Sequence, residues 1–262
     1  MPTLVTEQGI VHYEYHGRGR PVLLLHGWLG SWRLWRNTLD VLGTEFKTYA
    51  LDFFGFGESL DRGQDFSVNN FVESVNQFMD RLGIVKAPLI GHSMGGTVSL
   101  AASLLYPEKI VKTCVIGSPI KGNSLNLLLK FSGYKGFANI VWTTPALLRL
   151  FIGGYAYWIS SEGATLSKMM VEDLSKVTAD SYFQSIGTLR DTDLRDQIGA
   201  LQMPVMGIYG KRDRIVNPNQ HTILKEVLPS ARVEFLPGSG HFPMLDQPDI
   251  FHGLIKDFLH NG

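Results

Sequence analysis

The spacing of apolar residues changes along the chain, and each spacing predicts an element. Residues 3–6 and 11–15 alternate apolar and polar positions around Gln8-Gly9, which predicts a hairpin of two half-buried strands. Residues 22–25 form an unbroken apolar run, the pattern of a strand buried on both faces of a parallel sheet. Ser31 can cap a following helix whose Trp32, Trp35, Leu39 and Leu42 share a face. Residues 46–51 read as the next strand. Residues 67–82 read as a helix, with Phe71, Val75, Phe78, Met79 and Leu82 at helical spacing. A short apolar segment, 87–90, enters Gly91-His92-Ser93-Met94-Gly95-Gly96. A helix of small and apolar residues leaves it and stops at Pro107, and 111–116 is again a strand.

From about residue 120 to 195 no strand is legible, and apolar and aromatic residues come in helical clusters. Strand–helix alternation resumes with a strand at 205–209, a helix at 219–228, a strand at 232–236 and a final helix opened by Pro248. Alternation of this kind predicts an α/β fold. It would have a mostly parallel central sheet, right-handed crossovers and helices on both faces. The interruption predicts a helical cap, residues 120–195, inserted into a core made of 1–119 and 196–262.

Composition narrows the picture. With 262 residues, 44% of them hydrophobic, the chain can bury one large core. Its 24 basic and 24 acidic residues cancel, so nothing predicts a nucleic-acid partner. No apolar run approaches the ~20 residues of a membrane span, although the apolar cap leaves peripheral contact with a membrane open. The first nine residues have neither a basic cluster nor an apolar core, so no signal peptide is expected and a cytoplasmic location is. Cys114 cannot form an intrachain disulfide alone. It is a nucleophile or a buried core thiol, and its apolar run favours the core. No cofactor is expected, and the histidines show no metal-ligand spacing, so neither is a metal.

Candidate chemistry gathers at predicted strand ends, where ligands bind in open α/β sheets. Four ends carry something reactive or unusual: His26-Gly27-Trp28, Ser93, Asp213 and His241. Ser93 sits in a Gly-x-Ser-x-Gly frame between strand and helix, the context of a nucleophile elbow. A serine needs a base at neutral pH, and the base needs an orienting acid. Asp213 has a second reading as a turn residue paired with Arg212 or Arg214, and Asp246 is a rival acid that better fits the lead-in to the last helix.

With these motifs the chain resembles the α/β-hydrolase superfamily over its whole length, more loosely across 120–195. The resemblance rests on His26-Gly27-Trp28, Asp52-x-x-Gly55-x-Gly57-x-Ser59, Gly91-His92-Ser93-Met94-Gly95-Gly96, Gly210-Lys211-Arg212-Asp213 and Gly240-His241-Phe242-Pro243. It implies Ser93 as nucleophile, His241 as general base and acid, Asp213 as the orienting carboxylate, and the backbone N–H groups of Trp28 and Met94 as oxyanion hole. His26 would brace the oxyanion loop, and His92 would face away from the site as support. Relatives with dehalogenase or epoxide-hydrolase chemistry carry Asp at the elbow tip, where this chain has Ser93. The expected reaction is hydrolysis of a carboxylic ester of a small, fairly apolar molecule, with Trp28, Trp142, Phe151, Trp158 and Phe242 as candidate pocket walls. Thioesterase, acyltransferase, carbon–carbon hydrolase and perhydrolase chemistry use the same residues, and a ligand-binding protein could retain the fold.

Overall fold

The computed structural model describes residues 2–61, 63, 65–125 and 145–261. Among them a nine-stranded sheet is ordered β1-β2-β4-β3-β6-β7-β8-β9, with β5 paired to β2. The strands are β1 (Thr3–Val5), β2 (Gly9–His16), β3 (Pro21–Leu25), β4 (Lys47–Leu51), β5 (Leu60–Asp61), β6 (Ala87–His92), β7 (Ile110–Ile116), β8 (Val205–Gly210) and β9 (Arg232–Leu236). From β4 to β9 every neighbouring pair is parallel, while β2 runs antiparallel to β1, β4 and β5. The expected mostly parallel sheet is therefore present. The two-residue β5 lacks a readable period and pairs with Gly9 and Ile10 of β2.

Because successive side chains in a strand point to opposite faces, β3 divides its apolar run between two layers. Leu23 and Leu25 join a core with Phe71, Val75 and Phe78 of α2 (Val68–Arg81) and Val98 of α3 (Met94–Leu105). Val22 and Leu24 join the opposite core, with Leu39 and Leu42 of α1 (Arg36–Leu42) and Phe251, Ile255 and Phe258 of α10 (Pro248–Asn261). Truncating any of these buried phenylalanines to Ala would cost ~3–5 kcal/mol. Cys114, fully buried in the second core, is a packed thiol, and burial pushes its ionisation up. Ser67 caps α2 by accepting from Asn70 N–H, as its type at that position predicts.

Between residues 125 and 195 the described residues hold three helices and no strand: α4 (Pro145–Ile159), α5 (Gly163–Leu174) and α6 (Ala179–Asp191). An isolated antiparallel bridge, Lys121 to Asp193, ties the outgoing chain to the returning one. The inserted helical region is thus present. Short α7 (Arg195–Ile198) and α8 (Gln220–Val227) lead back to the sheet, and α9 (Pro243–Asp246) precedes the last helix. No helix among the described residues is long and apolar enough to cross a membrane.

Candidate active site

Ser93 stands between β6 and α3 with φ 52° and ψ −118°, a region L-residues enter only under constraint. Its N–H donates to Ile116 O at 2.8 Å, which ties the tip of the turn to the end of β7. The turn can be this tight because Gly91 and Gly95 have no side chains. A Cβ on Gly91 would lie 2.2 Å from Gly95 O, and one on Gly95 would lie 2.3 Å from Leu25 O. Met94 opens α3, so its N–H is one of the helix's first four and has no intrahelical acceptor.

His241 and Asp213 meet beyond the ends of β8 and β9. His241 Nδ1 lies 2.7 Å from Asp213 Oδ2, and both side chains are nearly fully buried. An ionised carboxylate only accepts, so Nδ1–H donates and Nε2 is left with a free lone pair. The other oxygen of Asp213 accepts from the N–H groups of Ile215 and Val216 at 2.8 and 2.9 Å. These bonds make Asp213 the partner of His241. Arg214, the neighbour it could have paired with, donates to Trp158 O and lies 4.8 Å from the centre of the Trp158 ring.

The loop after β3 lies against the elbow. A Cβ on Gly27 would stand 3.0 Å from Ser93 Cβ. Gly30 N–H donates to Gly27 O at 3.1 Å, closing a turn through Trp28 and Leu29 in which Leu29 has φ 57°. Two other histidines hold these loops. Phe53 N–H donates to His26 Nε2 at 2.9 Å, so His26 Nδ1–H is the donor to Gly27 O at 2.7 Å. His92 Nε2–H donates to His241 O at 2.9 Å. Burial lowers the basicity of His26, and burial followed by the neighbouring His241 lowers that of His92 further. Both rings are therefore neutral supports, with the tautomer of each set by its partners.

Residues 20–248 match the family described as alpha/beta hydrolase fold. The chain belongs to the α/β-hydrolase family. It is 30% identical over 258 residues to the dihydrolipoyllysine-residue acetyltransferase component of an acetoin cleaving system from Pseudomonas putida. That match covers 94% of this chain but 65% of the relative's length. It is 25% identical to a pimeloyl-[acyl-carrier protein] methyl ester esterase from Vibrio parahaemolyticus, over 96% of this chain and 98% of the relative. Among solved structures, a meta-cleavage product hydrolase from Pseudomonas fluorescens superposes with a TM-score of 0.84 at 21% identity, covering 99% of this chain and 97% of that one. At that identity the likeness is one of fold.

The candidate pocket residues of this α/β-hydrolase have different fates. Trp28 is partly buried. Its ring centre is 4.7 Å from that of Tyr182 on α6, and its indole N–H points to Tyr182 O at 3.4 Å. Phe242 packs on His92 and edge-on against His241. Trp158 is half exposed, and its ring is engaged by Arg214 and by Tyr155 one turn earlier on α4. Trp142 and the side chain of Phe151 lie outside the described residues.

Other residues of the site carry no sequence signal of their own. Gly117 follows β7 with φ +55°, and a Cβ there would lie 3.1 Å from His241 Nδ1 and 3.3 Å from Asp213 Oδ2. The Gly117-Ser118-Pro119 loop offers no acid, and its contribution is space. Tyr182 and Leu29 belong beside Trp28, yet an aromatic in a cap helix and a leucine in a loop look ordinary in sequence.

Proposed function

We propose that this α/β-hydrolase is a serine hydrolase that cleaves a carboxylic ester of a fairly apolar small molecule. Family membership and the esterase relative support hydrolytic activity on an acyl or ester substrate. The observation that carries the finer reading is the buried 2.7 Å contact of His241 with Asp213, joined through the His92 bond to His241 O to the elbow whose strained tip is Ser93. Residues 120–195 form the cap over a core of 1–119 and 196–262 in this reading.

Ser93 Oγ attacks the ester carbonyl while His241 Nε2, the nitrogen left free by the bond to Asp213, takes its proton. Negative charge on the carbonyl oxygen is met by the N–H groups of Trp28 and Met94, each worth ~3–4 kcal/mol to the transition state. His241 returns the proton to the departing alkoxide, leaving an acyl-Ser93. Water, deprotonated by the same nitrogen, releases the acid. Asp213 stabilises the imidazolium formed at each step and fixes the ring's orientation. Trp28, Tyr182 and Phe242 provide an apolar mouth, which is the basis for an apolar substrate.

The test is hydrolysis of p-nitrophenyl esters from acetate to long-chain acyl, with wild type and Ser93→Ala compared. The expected result is turnover with a chain-length optimum, reduced at least ~10⁴-fold in Ser93→Ala. Residual activity within tenfold of wild type would remove Ser93 from the nucleophile role. Absence of turnover together with absence of fluorophosphonate labelling at Ser93 would reject the serine-hydrolase reading.

A further inference from the structure

Asp246 lies five residues after His241, at the end of α9, and its two carboxylate oxygens serve two different parts of the molecule. Oδ1 accepts from the α4–α5 turn of the cap: Ser160 Oγ–H at 2.7 Å, Ser161 N–H at 2.9 Å and Ser161 Oγ–H at 2.9 Å. Oδ2 accepts from the turn that presents His241: Gly240 N–H at 2.7 Å and Ser239 Oγ–H at 3.3 Å. A carboxylate offers about four lone-pair positions, so these donors saturate it. Bonds to an ionised acceptor are also stronger than neutral ones.

The geometry points to Asp246 as a positioning residue, a clamp that sets the His241 turn against the end of α4. The clamp acts on the histidine through short, stiff connections. Gly240 N–H is the amide immediately before His241, and Asp246 N–H donates to Phe242 O, so the carboxylate is rigidly indexed to the residue it positions. The cap presses on the same place, since a Cβ on Gly240 would lie 2.7 Å from Ile159 O. His92, which donates to His241 O, supports the turn from the elbow side. Asp246 is distinct from the acid of the dyad, because Nδ1 of His241 is taken by Asp213. A replacement that keeps the shape but removes acceptor capacity should misplace the imidazole without emptying the pocket. Asp246→Asn is such a replacement, since its amide nitrogen cannot accept from Gly240 N–H while its oxygen serves the cap.

This inference rests on His241 being the base, and the experiment separates the two. Asp246→Asn, His241→Ala and the double variant Ser160→Ala/Ser161→Ala are compared with wild type. Each is measured for kcat and KM on the best p-nitrophenyl ester and for thermal unfolding, with rates per fluorophosphonate-titrated site except for His241→Ala, whose rate is taken per total protein. The expected result for Asp246→Asn is a ~10–100-fold loss in kcat, the scale of a small misplacement of a reacting group, with KM within about threefold. A destabilised but correctly built site would keep kcat per titrated site. The double serine variant, which leaves Gly240 held but releases two cap donors, should lower kcat in the same sense by a smaller factor. Wild-type kcat in a folded Asp246→Asn overturns the clamp. If Asp246→Asn does not fold, an unchanged kcat in the double serine variant overturns it. Turnover surviving in His241→Ala would instead overturn the catalytic reading, whatever the Asp246 variant does.

Discussion

Gly117 sets how closely the chain approaches the buried His241–Asp213 pair. Its φ of +55° is one that side chains rarely adopt, and a methyl there would meet the bonded atoms of both residues at 3.1 and 3.3 Å. Gly117→Ala should therefore lower kcat by about tenfold or more and cost ~1–2 kcal/mol of stability, with KM little changed. Ester kinetics beside urea unfolding reads both. Leu29 offers the opposite experiment. It shares positive φ only with Ser93 among the described non-glycine residues, a conformation that costs ~1–2 kcal/mol for an L-residue. Leu29→Gly relieves that strain but removes a partly buried side chain packed against the core, so it should destabilise less than loss of a packed leucine alone, and it should slow turnover because the turn holding the Trp28 amide would no longer be confined. Lower kcat in ester kinetics is the expected result; unchanged or faster turnover would mean the strain has no catalytic use. At this scale Ser93, Asp213 and His241 were legible because each stands in a motif at a strand end. The role of Gly117 and the strain at Leu29 were not, since both arise from atoms that only the folded chain brings near.

At the scale of elements, the cap is fastened to the core by charged and polar groups that no local pattern announces. Asp173, near the end of α5, accepts from Ser31 Oγ–H at 2.7 Å across 142 residues of sequence, and Ser31 follows the turn that carries Trp28. Arg33 lies between Glu58 of the core and Glu172 and Asp173 of the cap, and Lys176 also reaches Glu58. Apolar clustering was enough to read a helical cap. Its attachment depends on pairings across long stretches of chain, so in sequence Asp246 reads only as a lead-in to the last helix or a rival acid, and Asp173 carries no signal. Burial outweighs the Ser31 and Arg33 contacts and raises the Asp173 carboxyl to about 7. A carboxyl raised in the folded state binds a proton that the unfolded chain has released. Its stabilising share is therefore full below about pH 4 and is lost as pH rises through 7. Asp173→Asn, which keeps an acceptor for Ser31 and removes the charge, should stabilise the protein by ~2–3 kcal/mol more at pH 8 than at pH 5, several degrees in Tm. Equal effects at both pH values would show that Asp173 does not titrate in this range.

The whole molecule carries an acid sensitivity of opposite sign. His26 and His92 are buried, neutral and held by backbone partners, and burial depresses both. Protonating His26 would place a second N–H against the Phe53 amide that already donates to its Nε2. Protonating His92 would put a charge beside His241 and a donor on Nδ1, which has no acceptor among the described residues. His252, bonded to Thr38, is depressed by burial as well. Depressed histidines stabilise the fold fully above about pH 6.5 and lose that share as pH falls, because the unfolded chain takes up protons the folded one refuses. Between pH 6.5 and 5 each of these histidines therefore favours unfolding as acid is added. Asp173, with its raised carboxyl, works against them by up to ~1.4 kcal/mol per pH unit for its one proton. With three histidines against one carboxyl, the net expectation is a stability that falls on going from pH 6.5 towards 5, seen as a steady drop in the urea midpoint. The two scales then meet in one variant. Asp173→Asn removes the opposing proton, so its urea midpoint should fall more steeply with acid than that of wild type, by ~1.4 kcal/mol per pH unit. Parallel curves for the two proteins would show that the buried histidines alone set the acid limit.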